Sequence, residues 1–321
     1  MSWSEKLSEQ VHHAEPARPG EPISIADSHS PIEAIAVKIH PTAIVSREAQ
    51  IAPDVCIGPF AVVEADATIG PLSILESRAV VKSGTTLGSA NHLFEGAVLG
   101  GQPQHLHRSQ TPGRLVIGNG NTFRENTTVH VALEPHDATT IGDDNYFMVN
   151  VHIAHDCRVG NQTIFANNAM LAGHVTVADR AYLSGAAGVH QFARVGQLAM
   201  VGGQAHISRD VLPFVTVDGM SSQIVGVNRV GLRRAGIDLA GIRQIKDAYR
   251  MIYRSGLLWR DVIDKLRDAF PDGPAAEFHR FLASTERGIT PERRPPPGAT
   301  VRLYHQDDEE EPARNLRVKA G

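Results

Sequence analysis

From Ile39 to Ile207 an apolar residue returns at every sixth position, a period that belongs neither to a helix nor to an ordinary strand. The series runs through Ile57, Val63, Ile69, Leu75 and Val81 and, later, through Phe147, Ile153, Val159, Phe165 and Leu171. Of its 29 slots, 26 are apolar, and only His105, Thr111 and Pro135 break it. With 42% of the chain apolar, chance would fill roughly 12 of them, so the repeat is real. Such a hexad predicts a parallel β-helix, each unit giving one short strand, one turn and one side chain to a shared core. Three units close a triangular coil of about 18 residues, and coils stack at about 4.7–4.9 Å. The repeat leaves the hand of the coil open. Glycine often follows the apolar slot, as at Gly58, Gly70, Gly88 and Gly118, and reads as the residue of a sharp turn.

The three broken slots mark two insertions, "GGQPQHLHRSQTPGR" (100–114) and "ALEPHDATT" (132–140). Loops that leave a regular scaffold are where function concentrates. After Pro213 the period changes. Leu239, Ile242, Ile245, Tyr249 and Ile252 predict a helix capped by Asp238 and stopped at Gly256. A second helix runs from Leu258 to Phe270 before Pro271, and a third opens behind Asp272 and Pro274. The expected organisation is a disordered extension over 1–35, the β-helix over 36–215, a helical domain over 216–288 and a disordered tail over 289–321.

A net charge of −4 makes no case for nucleic acid or an anionic membrane as a partner. No apolar run approaches the roughly 18 residues of a membrane span. The N-terminus is polar and does not read as a secretory signal. Two cysteines, Cys56 and Cys157, are too few for a disulfide framework, which fits a cytoplasmic protein.

Residues 149–161, "VNVHIAHDCRVGN", place His152 and His155 three apart with Asp156 behind. The coil length puts His155, Gly173 and Gln191 in one column and Asp156 beside His174 in the next, with His190 adjoining. A neutral imidazole, an orienting carboxylate and an unobstructed glycine N–H suit acyl transfer to a hydroxyl. The bland alternative is a turn histidine beside a solvated aspartate. A zinc site needs three or four convergent ligands, and the His-x4-His spacing of gamma-class carbonic anhydrases is missing here.

The segments "HPTAIV" (40–45), "NVHIAHDCRVGN" (150–161), "ANNAMLAGHV" (166–175), "GVHQFARVG" (188–196), "GVNRVGLRR" (226–234) and "AYRMIYRSG" (248–256) together resemble the UDP-N-acetylglucosamine O-acyltransferases. That family performs the first step of lipid A biosynthesis. The resemblance covers about residues 38–285 and implies a homotrimer of left-handed parallel β-helices with helical C-terminal domains and sites between subunits. It implies transfer of a 3-hydroxyacyl chain from acyl carrier protein to the sugar 3-hydroxyl, without metal or other cofactor. By the same resemblance His155 is the general base, Asp156 its orienter and Gly173 the oxyanion donor. Gln104, His130, His152, His174, His190 and Gln191 match cleft or sugar-nucleotide positions. Asn228 and Arg234 match the uridine and phosphate end, where a guanidinium suits pyrophosphate. Gly203 matches the position that sets acyl-chain length, its missing side chain leaving room for a longer chain; otherwise it is a turn glycine.

The chain departs from the family pattern where Gln-Asp-Leu-Lys is usual: it has "QHLH" (104–107), with His105 and His107 in place of an anion and a cation. Ala235 stands where a further basic residue is common, and the second insertion lacks the usual basic-and-glycine start. These changes bear on sugar choice and nucleotide affinity, and keep a 3-amino UDP-sugar acceptor and a non-catalytic trimeric binder in view. The later N-acyltransferase of the same pathway carries a sizeable N-terminal domain before its coils, which the short segment before Ile39 does not match.

Overall fold

The structure, a computed structural model, describes residues 38–106, 110–111 and 113–293. Each hexad forms a two-residue strand, such as Cys56–Ile57, Val62–Val63 and Thr68–Ile69, whose second residue is buried and whose first is half-exposed. The strands collect into three sheets of 11, 9 and 8 strands, and all neighbours pair in parallel except a terminal hairpin. Strand partners lie three hexads apart along the chain, as in Cys56↔Ile74. Across the first insertion the separation rises to five hexads (His92↔Thr122) and across the second to four (Thr122↔Tyr146). The insertions therefore add whole hexads, two and then one, which is why the period survives both.

The glycines after the apolar slots have a different role from the one expected. The left-handed turn residue sits two positions later, at Phe60, Leu72 and Ala90 with φ of 59°, 59° and 54°. Gly70 and Gly88 answer instead to the closeness of stacked coils. A Cβ on Gly70 would lie 2.6 Å from the Gly88 carbonyl carbon, and one on Gly88 2.6 Å from the Gly118 oxygen.

Inside the coils Phe123, Phe147 and Phe165 stack with ring centroids 4.9 and 5.0 Å apart. A buried amide ladder runs beside them. Asn121 Nδ2 donates to Asn91 Oδ1 (3.0 Å), Asn145 Nδ2 to Asn121 Oδ1 (2.9 Å) and Thr163 Oγ1 to Asn145 Oδ1 (2.6 Å). It satisfies polar groups that burial would otherwise leave costly.

The 11-stranded sheet ends in an antiparallel hairpin, Val215–Val217 with Ile224–Val227, inside the span expected to be helical. A short helix, Arg229–Arg234, follows and was not expected. The three expected helices are Leu239–Arg254, Trp259–Ala269 and Ala276–Ala283. Asp238 caps the first by accepting the Gly241 N–H at 2.7 Å, and Gly256 lies just past its end at φ 70°. Asp272 does not cap the last.

Residues 289–293, expected to belong to the tail, are part of the fold. Ile289 bridges to Asp210 and Glu292 to Ile224, and Thr290 is buried. Backbone hydrogen bonds hold the segment: Thr290 N–H to Asp210 O and Ile224 N–H to Pro291 O, at 2.8 and 2.9 Å. The expectations for 1–35 and 294–321 lie outside the described residues. No helix among those described is long and apolar enough to cross a membrane.

Candidate active site

His155 and Asp156 occupy the turn after strand His152–Ile153. Asp156 takes the left-handed position, φ 60°, which aspartate tolerates better than most residues. His155 Nδ1 lies 2.7 Å from Asp156 Oδ2. A carboxylate only accepts, so Nδ1 carries the hydrogen and Nε2 keeps its lone pair. The second insertion braces the carboxylate: the Leu133 N–H donates to the same oxygen at 3.2 Å, and the Asp156 N–H donates to Thr139 Oγ1 at 2.8 Å. Both side chains of the dyad are only 10% exposed.

The column expected from the coil length is present. The His174 N–H donates to His155 O (3.0 Å) and the Phe192 N–H to Gly173 O (3.2 Å). A Cβ on Gly173 would fall 2.6 Å from His155 Cε1 and 2.8 Å from Nε2, so the imidazole rests over a residue that must be glycine. Gly173 is buried, and among the described residues its N–H has no hydrogen-bond partner. The same turn position in other coils, such as Ser77, Asn167 and Gly185, likewise makes no N–H hydrogen bond, so what distinguishes Gly173 is the imidazole packed over it.

His174 stacks flat on Phe192 (4.6 Å, 9°) and meets His155 edge-on (5.2 Å, 90°). The His105 ring, from the first insertion, lies 5.8 Å from His155 at 80°. His152 and His155 diverge: His152 Nδ1 pairs with Thr128 Oγ1 at 2.8 Å, and its ring meets His130 at 4.8 Å. A metal held by His152 with His155 is therefore excluded by direction. The donors that do converge are those of His155, Asp156 and His174, all within 4.8 Å of one another.

His130 repeats the glycine arrangement, since a Cβ on Gly101 would lie 2.7 Å from its Cδ2. It is buried, and its Nδ1 has no partner among the described residues. Burial, then the nearby His152 and His155, pushes its pKa down to about 4, and burial also lowers that of His152. In unfolded chain an imidazole titrates near 6.5. Between about 6.5 and 4 the unfolded state thus binds protons that the folded state refuses, and stability rises with pH across that window. Melting temperature is expected to fall as pH drops from 6.5 to 4, and to fall less steeply in His130→Gln. Equal slopes in the two chains would refute this.

The remaining expected residues stand apart within one chain. His190 Nδ1 faces its own neighbour, the Gln191 carbonyl, at 3.2 Å, and Gln191 and Gln104 are exposed. Asn228 is a capping residue: Oδ1 accepts the Gly231 N–H and Nδ2 donates to Leu198 O, each at 2.9 Å. Arg234 is exposed in the last turn of Arg229–Arg234. Gly203 is exposed and outside the left-handed region, so its backbone does not demand glycine. His107 lies outside the described residues. Sequence reasoning missed Leu133 and Thr139 as braces, Thr128 as the partner of His152, and Phe192 as the platform for His174. The last was within reach, because Phe192 follows His174 by one coil length in the same column.

A histidine–carboxylate pair on a hexad coil fits the hexapeptide-repeat transferases, and residues 138–173 match the family model of bacterial transferase hexapeptides. Residues 210–290 match the model for domain 2 of UDP N-acetylglucosamine O-acyltransferase. The chain belongs to the UDP-N-acetylglucosamine O-acyltransferase family. It is 47% identical over 211 residues to the acyl-[acyl-carrier-protein]--UDP-N-acetylglucosamine O-acyltransferase of Verminephrobacter eiseniae, covering 64% of this chain and 80% of that one. Two solved relatives are the UDP-N-acetylglucosamine acyltransferases of Francisella novicida and Campylobacter jejuni. The first superposes with TM-score 0.77 at 32% identity, over 79% of this chain and 94% of that one. The second does so with TM-score 0.75 at 34% identity, over 80% and 100%. The coil shares their left-handed winding, the feature that the repeat alone left open.

Proposed function

We propose that this enzyme moves a 3-hydroxyacyl chain from acyl carrier protein to the 3-hydroxyl of UDP-N-acetylglucosamine, the opening step of lipid A biosynthesis. The observation that carries the reading is the buried His155–Asp156 dyad packed against Gly173, where any side chain would collide with the imidazole. His155 Nε2 takes the proton of the sugar hydroxyl as that oxygen attacks the thioester carbonyl. The carbonyl oxygen, now negative, accepts the Gly173 N–H, which is worth most in a dry site. Collapse expels the carrier's thiolate, which takes back the proton from the imidazolium, while Asp156 holds the ring and its charge throughout. No metal or cofactor enters the scheme. A cytoplasmic setting follows from the carrier as donor.

Mass spectrometry of the product, from purified protein with UDP-N-acetylglucosamine and a panel of 3-hydroxyacyl carrier proteins, tests the reading. An acylated sugar nucleotide is expected; binding without product would leave only a binding protein.

The three outer faces support a threefold assembly. The 8-stranded sheet shows Thr68, Thr140, Arg158 and Thr176 to the outside. The other two show mainly apolar residues, among them Ile74, Tyr146, Ile164, Tyr182 and Met200 on one, and Ile44, Val62, Val80 and Met170 on the other. Two unlike apolar faces per chain fit a closed ring, each meeting the other face of a neighbour. In that ring Gln104, His190, Gln191, Asn228 and Arg234 serve the sugar nucleotide from both sides of the shared cleft. Light scattering should give about three times the 34.7 kDa chain mass; a monomer would sink the shared-site reading.

Gly203 sets the acyl length in this reading. A Cβ there meets the Gly185 oxygen at 3.3 Å and otherwise only Ser184 Cβ at 3.9 Å, so a side chain can be carried outward. Gly203→Met is expected to shorten the preferred chain by about four carbons, the reach of the methionine side chain. An unchanged profile across the carrier panel would assign Gly203 to the turn alone.

A further inference from the structure

His155, Asp156 and His174 bring three metal-ligating groups together with no ligand role in the acyl-transfer scheme. The geometry points to an inhibitory site for a divalent transition-metal ion, formed by His155, Asp156 and His174 at the catalytic base itself. Asp156 Oδ2 is 2.7 Å from His155 Nδ1 and 3.8 Å from His174 Nε2. Tetrahedral zinc with bonds of about 2.0–2.1 Å needs donors roughly 3.3 Å apart. The Asp156–His155 pair must open and the Asp156–His174 pair close by about half an ångström, and the His155 and His174 donors, within 4.8 Å of each other, must settle to the same spacing. The His174 side chain is 37% exposed and held from one side by Phe192, whereas the dyad is 10% exposed and shielded from competing water. A water completes four ligands.

Imidazole and carboxylate together suit zinc and copper rather than magnesium or calcium. Binding replaces the Nδ1–H···Oδ2 hydrogen bond with two metal bonds, and the Nδ1 proton leaves to solvent. The imidazole then loses its orienting carboxylate and turns toward the ion, so Nε2 no longer meets the sugar hydroxyl. The ion acts as an off switch rather than a Lewis acid.

The test is calorimetric titration of the metal-free full chain with zinc chloride, in a His12→Ala/His13→Ala background that removes the adjacent histidine pair of the N-terminus. One ion per chain is expected, with affinity falling at least about tenfold in His174→Asn, the scale seen when groups around a metal are removed. Cobalt substitution provides a second readout through the visible absorption of a tetrahedral ion, and a melting curve confirms that the variant folds. His206→Asn, on the same sheet but outside the cluster, should bind as the parent does. Absence of stoichiometric binding, or equal binding by the parent and His174→Asn, overturns the site.

Inhibition rests on His155 being the base, so it is measured separately, as loss of product with zinc and recovery with chelator. Zinc binding in a chain that never forms product would refute the acyl-transfer reading and leave the site standing. Product formation without zinc binding would do the reverse.

Discussion

Replacing His155 with alanine is expected to lower kcat for acyl transfer by roughly 10²–10⁴-fold, the usual contribution of a positioned general base, with KM for the sugar nucleotide little changed. The ring makes its hydrogen bond to Asp156 and lies over Gly173, and neither contact is a route to ground-state affinity. The loss therefore falls on the transition state, which lowers kcat and kcat/KM together. Asp156→Asn should lose less than His155→Ala while leaving the fold intact. An amide can still meet Nδ1, but it no longer stabilises the imidazolium. Steady-state rates by product mass spectrometry decide the matter. A loss below about tenfold in His155→Ala would mean that another group takes the proton.

Asp210→Ala is expected to destabilise the protein by about 3–5 kcal/mol, the cost of removing one partner from a buried ion pair. Asp210 is 1% exposed and joins the last complete coil to the helices. Its carboxylate accepts the Arg194 backbone N–H at 2.9 Å and the guanidinium at 2.9 and 2.8 Å, and Thr285 Oγ1 donates to it as well. Arg194 also reaches Ser284 Oγ and Phe281 O and lies 4.1 Å from the Phe281 ring centroid. Deleting the carboxylate strands that guanidinium at the C-terminal end of helix Ala276–Ala283 without its counter-charge. Urea unfolding followed by circular dichroism measures the change. A shift under about 1 kcal/mol would place the pair with surface ion pairs of little consequence.

The β-helix was legible because a large apolar side chain enters the core once per hexad, with a second, usually small, residue buried two places before it, as at Ala61 and Val63, so a single period carries the whole architecture. The His155–Gly173 stacking was legible for a related reason: no insertion interrupts the coils from His152 to Ile207, and three hexads always return to the same corner. The Asp238 cap and the positive φ of Gly256 follow from local chemistry alone. What stayed hidden was long-range and backbone-made. Leu133 reaches Asp156 through a backbone N–H, and residues 289–293 dock by backbone bonds and by contacts with residues far away in sequence, such as Tyr249, Tyr253 and Arg254, so neither leaves a local pattern. The helix Arg229–Arg234 is too short to show a period. His105 approaches His155 only because its insertion folds back, which spacing cannot express. The glycine that often follows an apolar slot was visible, but its cause, the next coil rather than the turn, required the stacking distance.

The amide ladder bears on how such enzymes diverge. Asn91 bonds Asn121 across the coil that holds the first insertion, and Asn121 bonds Asn145 across the coil that holds the second. The two points where the chain is free to change length are thus followed by buried contacts that reset the frame before the next coil begins. Sequence drift, or deliberate grafting, in residues 102–113 and 134–137 can then retune acceptor choice while Leu133 and Thr139 keep Asp156 in place.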